Sequence, residues 1–503
     1  MRNLAEREPR AREILAREQK AYEAANPKSQ EFYQRSARVL PGGVTRALCF
    51  FPPFPCYADY GEGCWFVDID GNRRLDLFNN ATSLILGHRP PAVMKAVREQ
   101  LARGTAFQTN TGLETRLAEM LVERVPSVEQ VRFTNSGSEG TLMAIRAARG
   151  FTGRRKIAKM EGGYHGSHDS VEISVRPPLA EAGPAEAPVA VPGSAGIPPG
   201  VMADLVLLPY NNLEAARKIL DREGPQIAGI IVEPILGSVG FIPAEREFLT
   251  GLRAEAERHG IVFILDEVQS FRLSRGGAQA LFGIRPDLTT FGKIIGGGFP
   301  VGAFGGRRDI MALFDASSGK AKIPHAGTFN GNPVTMTAGI ATLEHLTDQA
   351  LGWLNSTGDR VRKRLEDLGA RSRVPMRITG IGSMFKIHFS ASPVRDYRTA
   401  HQANSLIHEA LFMFGLNRVY VFGQAKSHCV LSTLNDLRDH VQKADPALTD
   451  KIWILEDAMS PVPPPPLDPL PPHLDFPRLA DRAMEEFRRA GMHVVRTTDP
   501  VSV

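Results

Sequence analysis

Lys293 stands between an apolar run and a glycine-rich turn, in Asp287-Leu-Thr-Thr-Phe-Gly-Lys-Ile-Ile-Gly-Gly-Gly-Phe-Pro300. Asp266 closes a second apolar run, Gly260-Ile-Val-Phe-Ile-Leu-Asp-Glu-Val-Gln269. A lysine held in a dry, glycine-lined site loses its proton and attacks a carbonyl, forming a Schiff base. A carboxylate in the same site holds a proton on a pyridine nitrogen and makes the ring an electron sink. Together the two residues point to pyridoxal phosphate chemistry. Either alone does not, because most lysines are solvated and most strand-end aspartates are caps or turns.

Four further segments fit that chemistry. Phe133-Thr-Asn-Ser-Gly-Ser-Glu-Gly140 joins a strand to a helical run. Ser136, Gly137 and Ser138 let backbone N–H groups approach an anion there, and the helix dipole favours a phosphate. Taken singly, Ser-Gly-Ser is a common helix cap. Gly162-Gly-Tyr-His-Gly166 follows another strand, so Tyr164 could stack on a planar cofactor while His165 fixes polar groups beside it. The plain alternative is a tight turn with a core tyrosine. Beyond Asp266, Val268 would pack on the other ring face and Gln269 would reach the ring hydroxyl. Asp266 lies at the strand edge where ligands sit in open parallel sheets. Gly327-Thr-Phe-Asn-Gly-Asn-Pro333 offers a second phosphate contact through Thr328. Glu233 ends one more apolar run, either beside Asp266 or as a strand cap.

These residues need a scaffold of strands buried on both faces. Apolar runs at 130–134, 156–160, 205–208, 228–232, 261–265 and 288–291 alternate with helical patterns such as 245–259. Runs without polar alternation predict an α/β fold, a mainly parallel sheet covered by helices. At 503 residues the chain exceeds one core. We expect an N-terminal segment (1–87) with surface helices and a hairpin at Asp70-Gly71-Asn72, then a large cofactor-binding domain (88–334). A smaller domain (335–503) follows, with a proline-rich insertion near 461–477 that reads as a stiff linker. The Pro-, Ala- and Gly-rich stretch 171–202 predicts a functional flap or a disordered loop.

Hydrophobic content of 43% with 23% charge is that of an ordinary globular enzyme. A net charge of +5 is small and dispersed, which argues against nucleic acid. Cys49, Cys56, Cys64 and Cys429 form no metal or redox pattern, so reduced cysteines, a cytoplasmic location and no metal are expected. The N-terminus lacks a secretory or transit pattern, and no apolar run is long enough for a bilayer.

In this order and spacing, the segments resemble the class III aminotransferases of fold type I, which depend on pyridoxal phosphate. The branch holds glutamate-1-semialdehyde 2,1-aminomutase and the β-phenylalanine aminotransferases. The resemblance runs from about Asn26 to Asn435 and rests on Asn135-Ser-Gly-Ser-Glu139, Gly163-Tyr-His-Gly166, Asp266-Glu-Val268, Gly292-Lys-Ile-Ile-Gly-Gly-Gly-Phe-Pro300, Gly327-Thr328 and Gly331-Asn-Pro333. It implies a homodimer in which Thr328 of one chain reaches the phosphate held by the other. It also implies an aminotransferase in which Lys293 binds the cofactor and moves protons, taking an amino acid, β-amino acids included, and a keto acid. The alternative is an aminomutase that shifts an amino group within one molecule. A non-catalytic dimeric scaffold is the more distant rival, which has no need of Lys293, Asp266 and the Ser136 turn together. Arg46, followed by Pro53-Phe-Pro55, is similar to the carboxylate-binding arginine of the β-amino acid enzymes. The 171–202 loop looks like the aminomutase one. Ser238 stands where aminomutases carry asparagine, and Gln424 where the β-amino acid enzymes carry arginine.

Overall fold

Seven strands, most of them rich in Ile, Val, Leu and Phe, build the central sheet. They are β1 Gln130–Thr134, β2 Lys156–Met160, β3 Leu205–Leu208, β4 Ile227–Val232, β5 Val262–Asp266, β6 Leu288–Gly292 and β7 Gly302–Gly306. In this computed structural model they make one sheet in the order β1-β7-β6-β5-β4-β2-β3. Within it, β3, β2, β4, β5 and β6 pair in parallel, and β7 runs antiparallel to β6 and β1. Every residue of β3 through β7 is buried, because helices cover both faces. Phe263 and Leu265 pack with helices Leu213–Glu223 and Arg246–Arg258. Val262 and Ile264 point the other way, toward helix Gly137–Thr152. This two-sided burial explains why the runs lack polar alternation.

The structure describes residues 8–417, 419–421, 452–455, 484–489 and 492–495. The chain divides into two compact units. The first comprises residues 1–2, 61–64 and 76–404, and the second 3–60, 65–75 and 405–503. In the second unit, strands Trp65–Asp68 and Arg73–Leu75 form the expected antiparallel hairpin, with Gly71 at a φ of +88° in the turn. A buried Asp68–Arg74 ion pair at 2.7 Å closes it. Parallel strands Val419–Val421, Ile452–Leu455 and His493–Val495 lie in the same unit. The proline-rich 461–477 stretch, Cys429 and Gln424 lie outside the described residues. Among those described, no helix is long and apolar enough to cross a membrane.

Strand β7 escapes sequence reading because Gly-Ala-Phe-Gly-Gly has little β-propensity. Its glycines are steric requirements. A Cβ on Gly302 would sit 1.9 Å from the Ser136 carbonyl oxygen, and one on Gly306 2.1 Å from that of Asp287. Gly302→Ala should therefore destabilise the fold by about 1–3 kcal/mol, as overpacking does. It should also push on the Ser136 turn. An unchanged denaturation midpoint would contradict this close approach.

The 171–202 stretch is neither free nor featureless. Ser174 accepts from Val191 N at 2.9 Å, and Ile173 bridges Pro192. Arg398 grips Glu161 with two bonds of 2.8 Å while donating to the carbonyls of Ala182, Gly183 and Pro184. Composition shows none of this, because the anchor is more than 200 residues away.

Candidate active site

Four segments deliver their chemistry at one edge of the sheet, the carboxyl ends of β1, β2, β4 and β5, and β6 adds a fifth. After β1, Ser136 caps helix Gly137–Thr152 by accepting from Glu139 N at 3.2 Å. The Glu139 carboxylate in turn accepts from Asn135 N at 2.7 Å, so the N-terminal amides beyond are held open toward an anion. The Ser138 hydroxyl accepts from Ser167 N at 3.3 Å, and a Cβ on Gly166 would collide with it. After β2, the chain turns through Gly162, at a φ of +82°, into Tyr164 and His165.

Asp266 is buried and accepts three hydrogen bonds. Its Oδ1 accepts from Thr290 Oγ1 at 2.9 Å and Val268 N at 3.1 Å, and its Oδ2 from His165 Nδ1 at 2.8 Å. Thr290 is its register partner on β6, a contact that sequence alone does not signal. Burial lowers the His165 pKa despite Asp266, so the ring is neutral and its Nδ1–H faces the carboxylate. Oδ2 has one donor and keeps a lone pair for a ring N–H. His165 Nε2 is buried without a partner.

Glu233, at the end of β4, accepts from Tyr164 N at 2.9 Å and Gly237 N at 3.3 Å. Burial, and then the Asp266 charge, push its pKa up to about 8. Lys293 begins the turn after β6 with a φ of +52°, the left-handed region that a non-glycine residue rarely adopts. Burial holds its ammonium down to about 8, while Glu233 and Asp266 pull the other way. Val268 packs between two glycines, for a Cβ would meet it at 3.0 Å on Gly137 and 3.2 Å on Gly292. The Gln269 amide lies against Gly237. Tyr164 keeps 40% of its surface exposed.

Thr328 lines a polar cleft of about 350 Å³ with Gln108, Thr109 and Glu114. An Asn135–Asn330 bond of 3.0 Å ties that turn to the Ser136 segment. Arg46 precedes a short turn, Ala47–Cys49, in the second unit.

Two supports carry no motif. Glu267, fully buried, accepts from Ala278 N, Gln279 N and Ser270 Oγ at 2.8–2.9 Å and so fixes the segment after Asp266. Lys159 is buried on β2 and donates to the carbonyls of Val171 and Ile173 at 3.1 and 2.5 Å. Burial lowers its pKa to about 7.

A helix N-terminus for a phosphate, a buried carboxylate with a spare lone pair and a lysine of depressed basicity fit one group, pyridoxal phosphate. The family description "Aminotransferase class-III" matches residues 51–421. The chain belongs to the class III aminotransferases, the pyridoxal-phosphate enzymes of fold type I. Curated relatives 39–43% identical carry the name glutamate-1-semialdehyde 2,1-aminomutase. That of Methanothermobacter thermautotrophicus is 39% identical over 82% of this chain and 96% of its own. A β-phenylalanine aminotransferase from Variovorax paradoxus is 40% identical, covering 81% of this chain and 90% of its own, with a TM-score of 0.73. A transaminase solved with PLP bound is 33% identical over 78% of this chain and 97% of its own, at a TM-score of 0.70.

Proposed function

We propose that this enzyme moves an amino group within one substrate, as an aminomutase of the glutamate-1-semialdehyde type. The observation that carries the reading is the name shared by curated relatives along most of the chain. Bound pyridoxal phosphate supplies an electron sink for a carbon that has lost a proton. Asp266 would keep the ring nitrogen protonated, with Thr290, Val268 N and His165 holding that carboxylate in place. Lys293 Nζ would hold the cofactor through its aldehyde carbon and, as a free amine, would take a proton from one substrate carbon and return it to another.

The test is turnover without an acceptor. Enzyme loaded with pyridoxamine phosphate and given glutamate-1-semialdehyde alone should convert many equivalents. Stopping after one equivalent would contradict the aminomutase reading.

That outcome would favour the second reading, transfer from a β-amino acid to a keto acid. Similarity to the β-phenylalanine aminotransferase supports it, as does Arg46. In this reading Arg46 binds the substrate carboxylate, since a planar guanidinium suits that group. Arg46→Ala should raise KM for carboxylate-bearing donors about a hundredfold and leave simple amines nearly unaffected. Equal losses would mean that Arg46 supports the fold. In both readings we take the enzyme to be a cytoplasmic homodimer with Thr328 serving the partner's phosphate. A fully active monomer would refute that arrangement.

A further inference from the structure

Arg272 lies six residues past Asp266, in the short turn Ser270–Leu273, with only 5% of its surface exposed. Among the described residues it has no carboxylate partner, and its Nε has no hydrogen-bond partner. Its one hydrogen bond among the described residues is long, 3.4 Å, from Nη1 to the Thr82 carbonyl. An uncompensated buried charge is expensive, so a fold that keeps one generally has an anion to place against it.

The neighbouring backbone points the same way. Asn79, Asn80, Ala81 and Thr82 form a run of left-handed residues, with φ of +51°, +47°, +53° and +72°. Left-handed turns of non-glycine residues are costly and concentrate at ligand-binding sites. Asp76 holds the entry to this run by accepting from Phe78 N and Asn79 N at 3.0 and 2.7 Å. Inside it, Thr82 Oγ1 is buried and unpartnered. Two orphaned polar groups, one cationic, thus face a strained turn.

This spot adjoins the reactive lysine. Phe271 packs edge-on against Phe291, two residues before Lys293, with ring centroids 5.0 Å apart. Leu84 lies against Gly298, where a Cβ would meet it at 3.2 Å. The Arg272 charge is also among the influences that hold Lys293 below ordinary lysine basicity.

We propose that Arg272 and the Asn79–Thr82 turn form a subsite for the substrate's carboxylate, on the first unit and separate in origin from Arg46. The proposal rests on amino-group chemistry at Lys293 and holds for either substrate class above, since both carry a carboxylate. Arg272 supplies charge and two-pronged donors, and Thr82 Oγ1 supplies one further bond.

The test compares holoenzyme and Arg272→Met, with 4-aminobutanoate and butylamine as paired donors and half-reactions read by cofactor absorbance. The carboxylate donor should need about a hundredfold higher concentration in the variant, and the amine about the same as before. Arg272→Lys should recover part of the loss. Butanoate should inhibit the wild type competitively, weaken about a hundredfold as an inhibitor of Arg272→Met and weaken less against Arg272→Lys, a measurement needing only one active donor. Equal losses for the two donors, no inhibition by butanoate, or conversion to monomer in Arg272→Met would overturn the subsite. Whether an external acceptor is required is read separately, so failure of the aminomutase reading leaves this result intact.

Discussion

Lys293→Ala should lose the visible absorbance of a covalently held cofactor and about four orders of magnitude of turnover. General acid–base transfer accounts for a factor of 10²–10⁴, and the nucleophile goes with it. The effect is large because this lysine is prepared for attack. At pH 7 a pKa of about 8 leaves roughly one Lys293 in ten neutral, against about one in three thousand for an ordinary lysine. The amine is neutral above its pKa, so capture of pyridoxal phosphate by the apoenzyme should rise with pH and level off beyond about pH 8. A capture rate still climbing steeply toward pH 10 would mean that burial does not prepare Lys293.

Asp266→Asn should retain bound cofactor and lose about a hundred- to a thousandfold in turnover, the range seen when one preorganised electrostatic contact is removed. The phosphate contacts at the Ser136 turn and the link to Lys293 are untouched, so binding survives. The amide matches the carboxylate in shape but carries no charge to keep the ring nitrogen protonated. It also turns an N–H toward His165 or Thr290, which now donate to Asp266. Near-normal turnover, with cofactor retained, would remove Asp266 from the mechanism.

How much of this was legible beforehand follows from what sets each feature. Strands β1, β2 and β3 match their predicted runs residue for residue, and β3, LVLL, is buried throughout and leaves no polar position to blur its ends. Strand β7 was missed because its glycines answer to the backbone of Ser136 and Asp287, partners distant in sequence. The Lys293 and Ser136 segments stood out because glycine and a strand end coincide in each, and Asp266 because a charge closes an apolar run. Thr290, Glu267, Lys159 and Arg272 did not. Their roles come from register and burial, and in sequence they look like any strand threonine or surface charge. Arg272 in particular reads as a solvated loop arginine until its burial and missing partner are seen.

Two lysines of lowered pKa lie near this sheet edge, half-buried Lys293 and fully buried Lys159, and the chemistry falls to the first alone. Lys159 is occupied by the carbonyls of Val171 and Ile173, whereas Lys293 stands where the β6 strand breaks into glycine. Borohydride reduction of the holoenzyme, followed by peptide mapping, reads the attachment point directly. The cofactor's mass should appear on the peptide containing Lys293 and on no other. Attachment at Lys159, or at any third lysine, would contradict the account at its centre.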